Sequence, residues 1–199
     1  MTTDSVSIRT FRPSDLEQVK SLFIDGMRAN SASEAYIQSS LATDLSSLED
    51  TYLIGRGTFF VMECLEDGKI VGIVGLQDLS AAPHLAREGG GHDNDNDNDD
   101  GDDDDVEDDV ESKKNMCELR RMSIHSSERR KGRGAQLIEK FIDHSKEHGF
   151  DGIVLSTGAW MKEAIEFYIS LGFLENGIAK YPIDGKVVEI QKLQMVFHT

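Results

Sequence analysis

The chain has 199 residues, 38% hydrophobic and 29% charged, and its 21 Lys and Arg against 37 Asp and Glu give a net charge of −16. This length predicts one domain, no apolar run approaches the ~20 residues of a membrane-spanning helix, and an acidic surface would repel duplex nucleic acid. Two cysteines and an N-terminus without a signal-peptide pattern predict reduced thiols and a cytoplasmic protein, with the nucleus as the alternative compartment.

The first half of the chain contains two predicted helices and three predicted strands. Ser14-x-x-Glu17 has the pattern of a capping box, with Ser14 as the residue that caps the first helix. The predicted elements are a strand over 6–11, a helix that opens at Pro13, a second helix over 32–48, and strands over 58–65 and 70–79 that form a hairpin.

An acidic segment over 92–109 accounts for much of the net charge. It holds eleven Asp and one Glu but no Lys or Arg, so the other 25 acidic residues nearly balance the 21 basic ones. Such a segment has too little apolar surface to offset its chain entropy. We therefore predict a disordered acidic insertion within a single domain that covers 1–199.

Helices and strands alternate after the insertion. The predicted elements are strands over 117–125 and 152–156, helices over 132–148 and 162–171, and two final strands over 173–180 and 187–197. Together with the first half, this order predicts a mixed α/β fold in which helices flank one central, mostly antiparallel sheet.

The strand over 117–125 has an irregular apolar pattern. Apolar residues fall at Cys117 and Leu119 and then at Met122 and Ile124, so the two-residue alternation slips by one position in between. A β-bulge produces such a slip. The alternative is a strand that is buried on neither face.

A basic, glycine-bearing loop follows this strand. Residues 129–134 read Arg-Arg-Lys-Gly-Arg-Gly and lead directly into a helix. Unpaired N–H groups and the positive end of the helix dipole attract anions, and glycine lets a phosphate approach closely. The loop therefore predicts an anion site, most simply for a diphosphate; the alternative is a basic surface loop with a glycine turn.

Three motifs resemble those of one family, in the family's order. Arg129-x-x-Gly132-x-Gly134-Ala135 resembles the acetyl-CoA pyrophosphate loop of the GNAT N-acetyltransferase superfamily. The stretch over 164–173 resembles its closing signature, and the stretch over 8–15 resembles its opening strand and helix. The resemblance implies a GNAT-like fold with a bulged, splayed fourth strand, and acetyl-CoA as cosubstrate. It is closest to the animal enzymes that act on cysteine conjugates, but residues 36–54 are too polar for their membrane segment.

The resemblance also implies roles for individual residues. Glu118, fourteen residues before Gly132, would be the catalytic base; the alternative is a solvated Glu or one paired with Arg120. Tyr168 would be the general acid; the alternative is a buried tyrosine that donates to a backbone carbonyl. The Met122 N–H would polarise the thioester carbonyl. The implied coenzyme-binding residues are Met122, Ser123, Ile124, Arg129, Arg130, Lys131, Gly132, Arg133, Gly134 and Ala135.

These expectations define one main function and one alternative. The main function is acetyl-CoA-dependent acetylation of a primary amine by direct transfer in a ternary complex, the amine being a small molecule, a polyamine or a basic protein tail. The alternative is a non-catalytic CoA-binding module whose acidic insertion recruits a basic partner. We expect neither a nucleic-acid nor a membrane partner. We also expect no metal, since His144 and His148 lack a third ligand nearby and the segment over 96–107 fits a calcium loop only loosely.

Overall fold

Seven strands form one sheet in the computed structural model, which describes residues 5–81, 115–183 and 186–197. The strands are β1 (Val6–Thr10), β2 (Thr58–Cys64), β3 (Ile70–Asp78), β4 (Met116–Ile124), β5 (Gly152–Gly158), β6 (Leu174–Ile183) and β7 (Lys186–Val196). The helices are α1 (Leu16–Ala29), α2 (Glu34–Ala42), α3 (Leu48–Tyr52), α4 (Arg133–Glu147) and α5 (Lys162–Ser170). The predicted insertion at 92–109 lies outside the described residues.

The sheet is antiparallel except for one pair of strands. Its order is β1-β2-β3-β4-β5-β7-β6, and only the β4–β5 pair is parallel. That pair ends at Leu119 and Leu155, although β4 continues to Ile124 and β5 to Gly158. The strands therefore separate beyond Leu119. The predicted mixed α/β fold and the splayed fourth strand are both confirmed.

Each face of the sheet carries its own hydrophobic core. Side chains of a strand alternate between faces, so Phe59 and Val61 of β2 join the core under α1, α2 and α3, and Phe60 and Met62 join the core under α4 and α5. Within the described residues, no helix combines the length and apolarity required to cross a bilayer. The two cores place the open end of the β4–β5 pair between two layers of helices.

Helix α1 begins differently from the prediction. A 3-10 turn over Pro13–Asp15 comes first, and the carboxylate of Asp15, not the hydroxyl of Ser14, accepts the Arg12 N–H at 2.8 Å. Asp15 is buried and also pairs with Arg9 at 2.7 Å. The predicted Ser14 cap is wrong, because the ion pair with β1 fixes Asp15 at this position.

The predicted single helix over 32–48 is also wrong. The segment forms α2 and then α3, with a turn over residues 43–47 between them. Ser47 caps α3 by accepting the Asp50 N–H at 3.4 Å. The helix is interrupted because Asp44 turns inward to a buried arginine on β4.

Candidate functional site

Strand β4 contains the predicted bulge. In the register with β3, Ser123 lies opposite Ile73 and Arg120 lies opposite Gly75. Arg121 and Met122 therefore share the single β3 residue between these pairs. Arg121 has a φ of +55°, in the left-handed region that a non-glycine residue rarely adopts. The bulge lies just beyond the point where β5 leaves β4, so its backbone borders the opening between the strands.

Residues from β4, α4 and α5 meet at Gly134. A Cβ atom built on Gly134 would lie 3.1 Å from Cζ of Phe167 and 3.6 Å from Cε of Met122. The glycine therefore lets the first turn of α4 approach α5 and the bulge closely. Ala135 follows it, partly exposed. This contact joins the glycine-bearing loop to the stretch over 164–173, because Gly134 and Phe167 are 33 positions apart in the sequence.

Two of the predicted coenzyme-binding residues point their side chains elsewhere. The Ser123 hydroxyl is buried 2.8 Å from the Cβ position of Gly26 in α1, and it has no hydrogen-bond partner in the described part of the chain. Cδ1 of Ile124 lies 2.9 Å from the Cβ position of Gly72 in β3. Any contact of these two residues with a ligand in the opening would therefore involve their backbone.

The loop before α4 has the geometry expected of an anion site. Arg130 and Gly132 adopt left-handed conformations, with φ of +60° and +77°, and α4 begins at Arg133. Nothing lies within 4 Å of the Cβ position of Gly132, so its requirement for glycine is conformational. The first N–H groups of α4 have no intrahelical acceptor and carry the positive end of its dipole.

An acidic residue that the sequence interpretation missed lies within the basic loop. Glu128 accepts Lys131 Nζ at 2.8 Å and pairs with Arg133 Nε at 3.4 Å. The hydrogen bond from Lys131, aided by Arg133, holds the pKa of Glu128 below its usual value. Arg129 donates from Nε to the Ile124 carbonyl at 3.1 Å, whereas Arg130 is exposed. Glu128 and Lys131 do not share a helix, since Arg129 between them is extended and Arg130 is left-handed, so the helical rule for a spacing of three does not predict this pair.

Tyr168 is buried on the α4–α5 side of the sheet. Its ring packs edge-on against Phe173 at 5.6 Å and is tilted against Phe167 at 5.4 Å. Burial raises the pKa of Tyr168, so its hydroxyl stays protonated at neutral pH. Among the described residues, no acceptor is hydrogen-bonded to this hydroxyl, so the structure does not contain the bond to a backbone carbonyl that was the alternative.

Glu118 and Arg120 lie on the opposite face of the sheet from Tyr168. The Leu119 side chain belongs to the α4–α5 core, so its two neighbours in β4 point towards α1, α2 and α3. Arg120 interacts electrostatically with Glu118 and donates from Nη1 to Gln77 Oε1 at 2.9 Å. Gln77 is fully buried, and its Nε2 has no partner within the described ranges.

A buried network around Arg121 was not predicted. Arg121 donates to both carboxylate oxygens of Asp44, from Nε at 2.7 Å and from Nη2 at 2.5 Å. Asp44 also accepts the Tyr52 hydroxyl at 2.5 Å. Local sequence patterns cannot reveal this pair, because 77 positions separate its members.

The two histidines of α4 contact each other and the backbone. Their rings stack with centroids 3.8 Å apart, His144 Nε2 lies 3.4 Å from the Arg56 carbonyl, and His148 Nδ1 lies 2.8 Å from the His144 carbonyl. Burial and the neighbouring His148 lower the pKa of His144. In the described ranges, no group of three His, Cys, Asp or Glu side chains could hold a metal ion.

Curated proteins with related sequences are N-acetyltransferases and N-acetylaspartate synthetases. The chain is 23% identical over 164 residues to N-acetyltransferase 8 of Homo sapiens, and the alignment covers 82% of this chain and 59% of that protein. It is 30% identical over 165 residues to N-acetylaspartate synthetase of Xenopus tropicalis, and this alignment covers 81% of this chain and 49% of that protein. The chain thus spans about half to three-fifths of the length of these relatives.

Solved structures of acetyltransferases share the fold. An acetyltransferase of the GNAT family from Staphylococcus aureus Mu50 matches with a TM-score of 0.67 at 20% identity, over 96% of this chain and 99% of that one. A Salmonella typhimurium structure, described as an acetyltransferase with its cofactor acetyl-CoA, matches with a TM-score of 0.60 at 14% identity, over 98% of this chain and 95% of that one. Residues 27–173, well over half of the chain, match the model of the acetyltransferase (GNAT) family. The chain therefore belongs to the acetyltransferase (GNAT) family.

Proposed function

We propose that the chain is an acetyl-CoA-dependent N-acetyltransferase that transfers the acetyl group directly to a primary amine within a ternary complex. Glu118 and Tyr168 lie on opposite faces of the sheet, and Glu118 lies one residue before the last β4–β5 residue pair; this placement carries the proposal. A base on one face and an acid on the other would allow the amine and the coenzyme to meet in the opening from opposite sides.

The pyrophosphate of acetyl-CoA would bind the loop before α4. There the first N–H groups of α4 and the left-handed Gly132 form an anion site. Arg130 would add an exposed positive charge, whereas Glu128 would partly offset Lys131 and Arg133. Gly134 would keep this anion site close to the bulge, because it lets the first turn of α4 pack against Phe167 and Met122.

The transfer needs three proton movements, because the ammonium nitrogen loses two protons and the departing sulfur gains one. An alkylammonium with a pKa near ~10.4 is almost wholly charged at pH 7, so Glu118 would accept a proton from it, directly or through water. The free amine would attack the thioester carbon while the Met122 N–H stabilises the carbonyl oxygen. As the C–N bond forms, the nitrogen would give up its second proton through water, and as the C–S bond breaks, Tyr168 would donate its proton to the departing sulfur. The Tyr168 phenolate would then take up the proton that the nitrogen released, and Glu118 would return its proton to solvent.

The charges beside Glu118 favour an amine that also carries a carboxylate. Glu118 and Arg120 place opposite charges two residues apart on one strand face, which is complementary to the charges of an amino acid. The unpartnered Nε2 of Gln77 would donate to the same carboxylate. The relatives named N-acetylaspartate synthetase support this class, because the product in their name is an acetylated amino acid. We therefore favour small amino-acid-like acceptors over polyamines and basic protein tails.

Release of free thiol from acetyl-CoA tests the proposal. Purified protein is incubated with a panel of amino acids, spermidine and a lysine-rich peptide, and the acetylated product is identified by mass spectrometry. We expect Tyr168→Phe and Glu118→Gln each to lower kcat by about 100-fold, whereas Tyr181→Phe on the edge strand β6 serves as the matched tyrosine control. Binding of acetyl-CoA without turnover of any amine would instead favour the non-catalytic CoA-binding module.

A further inference from the structure

Arg121 combines a strained backbone with a side chain that is fixed on several sides. Its guanidinium binds both oxygens of Asp44 and donates from Nη1 to the Tyr36 hydroxyl at 2.9 Å. It also lies 5.1 Å from the ring centre of Phe23. A left-handed conformation is strained in a non-glycine residue, and these contacts hold Arg121 in it.

Asp44 is as firmly held as its partner. The side chains of Asp44 and Arg121 are each 7% exposed, and the hydroxyl of Tyr52 donates to Asp44. The Tyr52 ring is itself seated on β3, because its Cε1 lies 2.6 Å from the Cβ position of Gly75. The turn between α2 and α3 is thereby tied to the bulge through side chains that cannot shift independently.

The bulge is where the proposed reaction needs a correctly directed N–H. The N–H of Met122 belongs to the peptide unit that joins it to Arg121, so the conformation of Arg121 determines where this N–H points. Met122 also contacts the Cβ position of Gly134 at the coenzyme loop. A change in Arg121 would thus alter the hydrogen bond from the Met122 N–H to the thioester carbonyl, without any contact between Arg121 and the substrates.

We propose that Arg121 and Asp44 are positioning residues, whose bidentate ion pair holds the β4 bulge in the left-handed conformation that directs the Met122 N–H into the opening. This inference rests on the proposed function, because the carbonyl to be polarised is that of acetyl-CoA. It goes further in making the docking of the α2–α3 turn a condition for a complete transfer site.

Comparison of acetyl-CoA with CoA isolates this role. Only acetyl-CoA has the thioester carbonyl that the Met122 N–H would polarise, whereas both ligands have the pyrophosphate and the amide groups of the pantetheine arm. We expect Asp44→Asn and Arg121→Lys to lower kcat by at least about tenfold, and to reduce the affinity for acetyl-CoA more than that for CoA. Arg121→Lys keeps the charge but loses the two-point geometry.

Asp78→Asn is the matched control. Asp78 also pairs with an arginine, Arg56, at 3.0 Å, and its side chain is 2% exposed, but it lies at the opposite end of the β3–β4 pair from the bulge. Each variant is assayed by calorimetry with CoA and acetyl-CoA and by thiol release, with rates corrected for the folded fraction. Equal kcat and equal ligand preference in Asp44→Asn and Asp78→Asn would overturn the positioning role.

A variant at Tyr36 tests the same role without removing the ion pair. Tyr36→Phe removes one hydrogen bond from Arg121 at a side chain that is 48% exposed, so the fold should persist if Asp44→Asn does not fold. We expect a smaller loss of kcat in the same direction, and an unchanged kcat and ligand preference would contradict the proposal. If no amine is acetylated at all, the proposed function fails, but the altered preference between acetyl-CoA and CoA still reports on the ion pair.

Discussion

Lys131 donates to Glu128 across 2.8 Å, so the positive loop at the start of α4 is partly neutralised from within. We predict that Glu128→Gln lowers the KM for acetyl-CoA by about two- to fivefold at low ionic strength, because the carboxylate of Glu128 then no longer competes with the phosphate for Lys131 and Arg133. The difference should shrink at high salt. Glu34→Gln removes a more exposed carboxylate, 59% against 12% for Glu128, from Arg28 in α1; it is the control for the change in net charge and should leave this KM unchanged.

Gly134 tests the packing of α4 against α5. A methyl group at this position would press on the Phe167 ring, 3.1 Å away, and would crowd Met122. We predict that Gly134→Ala raises the KM for acetyl-CoA and also lowers kcat, since Phe167 precedes Tyr168 on α5. Steady-state kinetics with varied acetyl-CoA measure both constants, and wild-type values for the two would contradict the packing role.

Gly132 and Gly149 form a matched pair at the two ends of α4. Both have positive φ values, +77° and +72°, and nothing lies within 4 Å of either Cβ position. Replacement of either by Ala should lower the free energy of unfolding by about 1 kcal/mol through backbone strain. Only Gly132→Ala should weaken acetyl-CoA binding, because only Gly132 belongs to the anion loop. Denaturant unfolding and calorimetry measure the two effects, and equal loss of affinity in both variants would rule out the loop assignment.

Asp78 makes the fold sensitive to acid. Burial alone would raise the pKa of Asp78, but hydrogen bonds from Arg56 and Ser80 outweigh it and hold the pKa at about 2. The unfolded carboxyl has a pKa of 3.8, so the stabilisation is complete above this value and is lost as pH falls towards 2. The shift corresponds to about 2 kcal/mol. Denaturant unfolding at pH 6 and pH 2.5 should show a smaller loss of stability in Asp78→Asn than in the wild type.

The sequence revealed what depends on local order. The bulge follows from the slipped alternation around Arg120 and Arg121, and the anion loop follows from glycines placed at a helix start. Both signals lie within a few residues of the feature they predict. The pair formed by Glu128 and Lys131 is equally close in the sequence, but it depends on the extended Arg129 and the left-handed Arg130 between them, so helical spacing does not predict it.

What the sequence did not reveal depends on distant partners. The predicted helix is interrupted at Asp44, because the carboxylate of Asp44 binds Arg121, which lies 77 positions away in the sequence. Asp15 displaces Ser14 as the capping residue because Arg9 already holds it in place. Propensity and periodicity describe neighbours in the chain, so they are blind to such tertiary pairs.

Among the described residues, the ladder between β4 and β5 consists of four residue pairs, from Met116 opposite Gly152 to Leu119 opposite Leu155, and the Asp151 N–H donates to the Asn115 carbonyl at 2.9 Å just before it. A short ladder therefore joins two groups of strands, β1 to β4 on one side and β5 to β7 on the other. A molecule that fills the opening beyond Leu119 would contact both groups of strands and oppose their separation. We expect saturating acetyl-CoA to raise Tm and to make thermal unfolding more cooperative, because the bound ligand would add contacts between the two groups of strands where β4 and β5 are not paired.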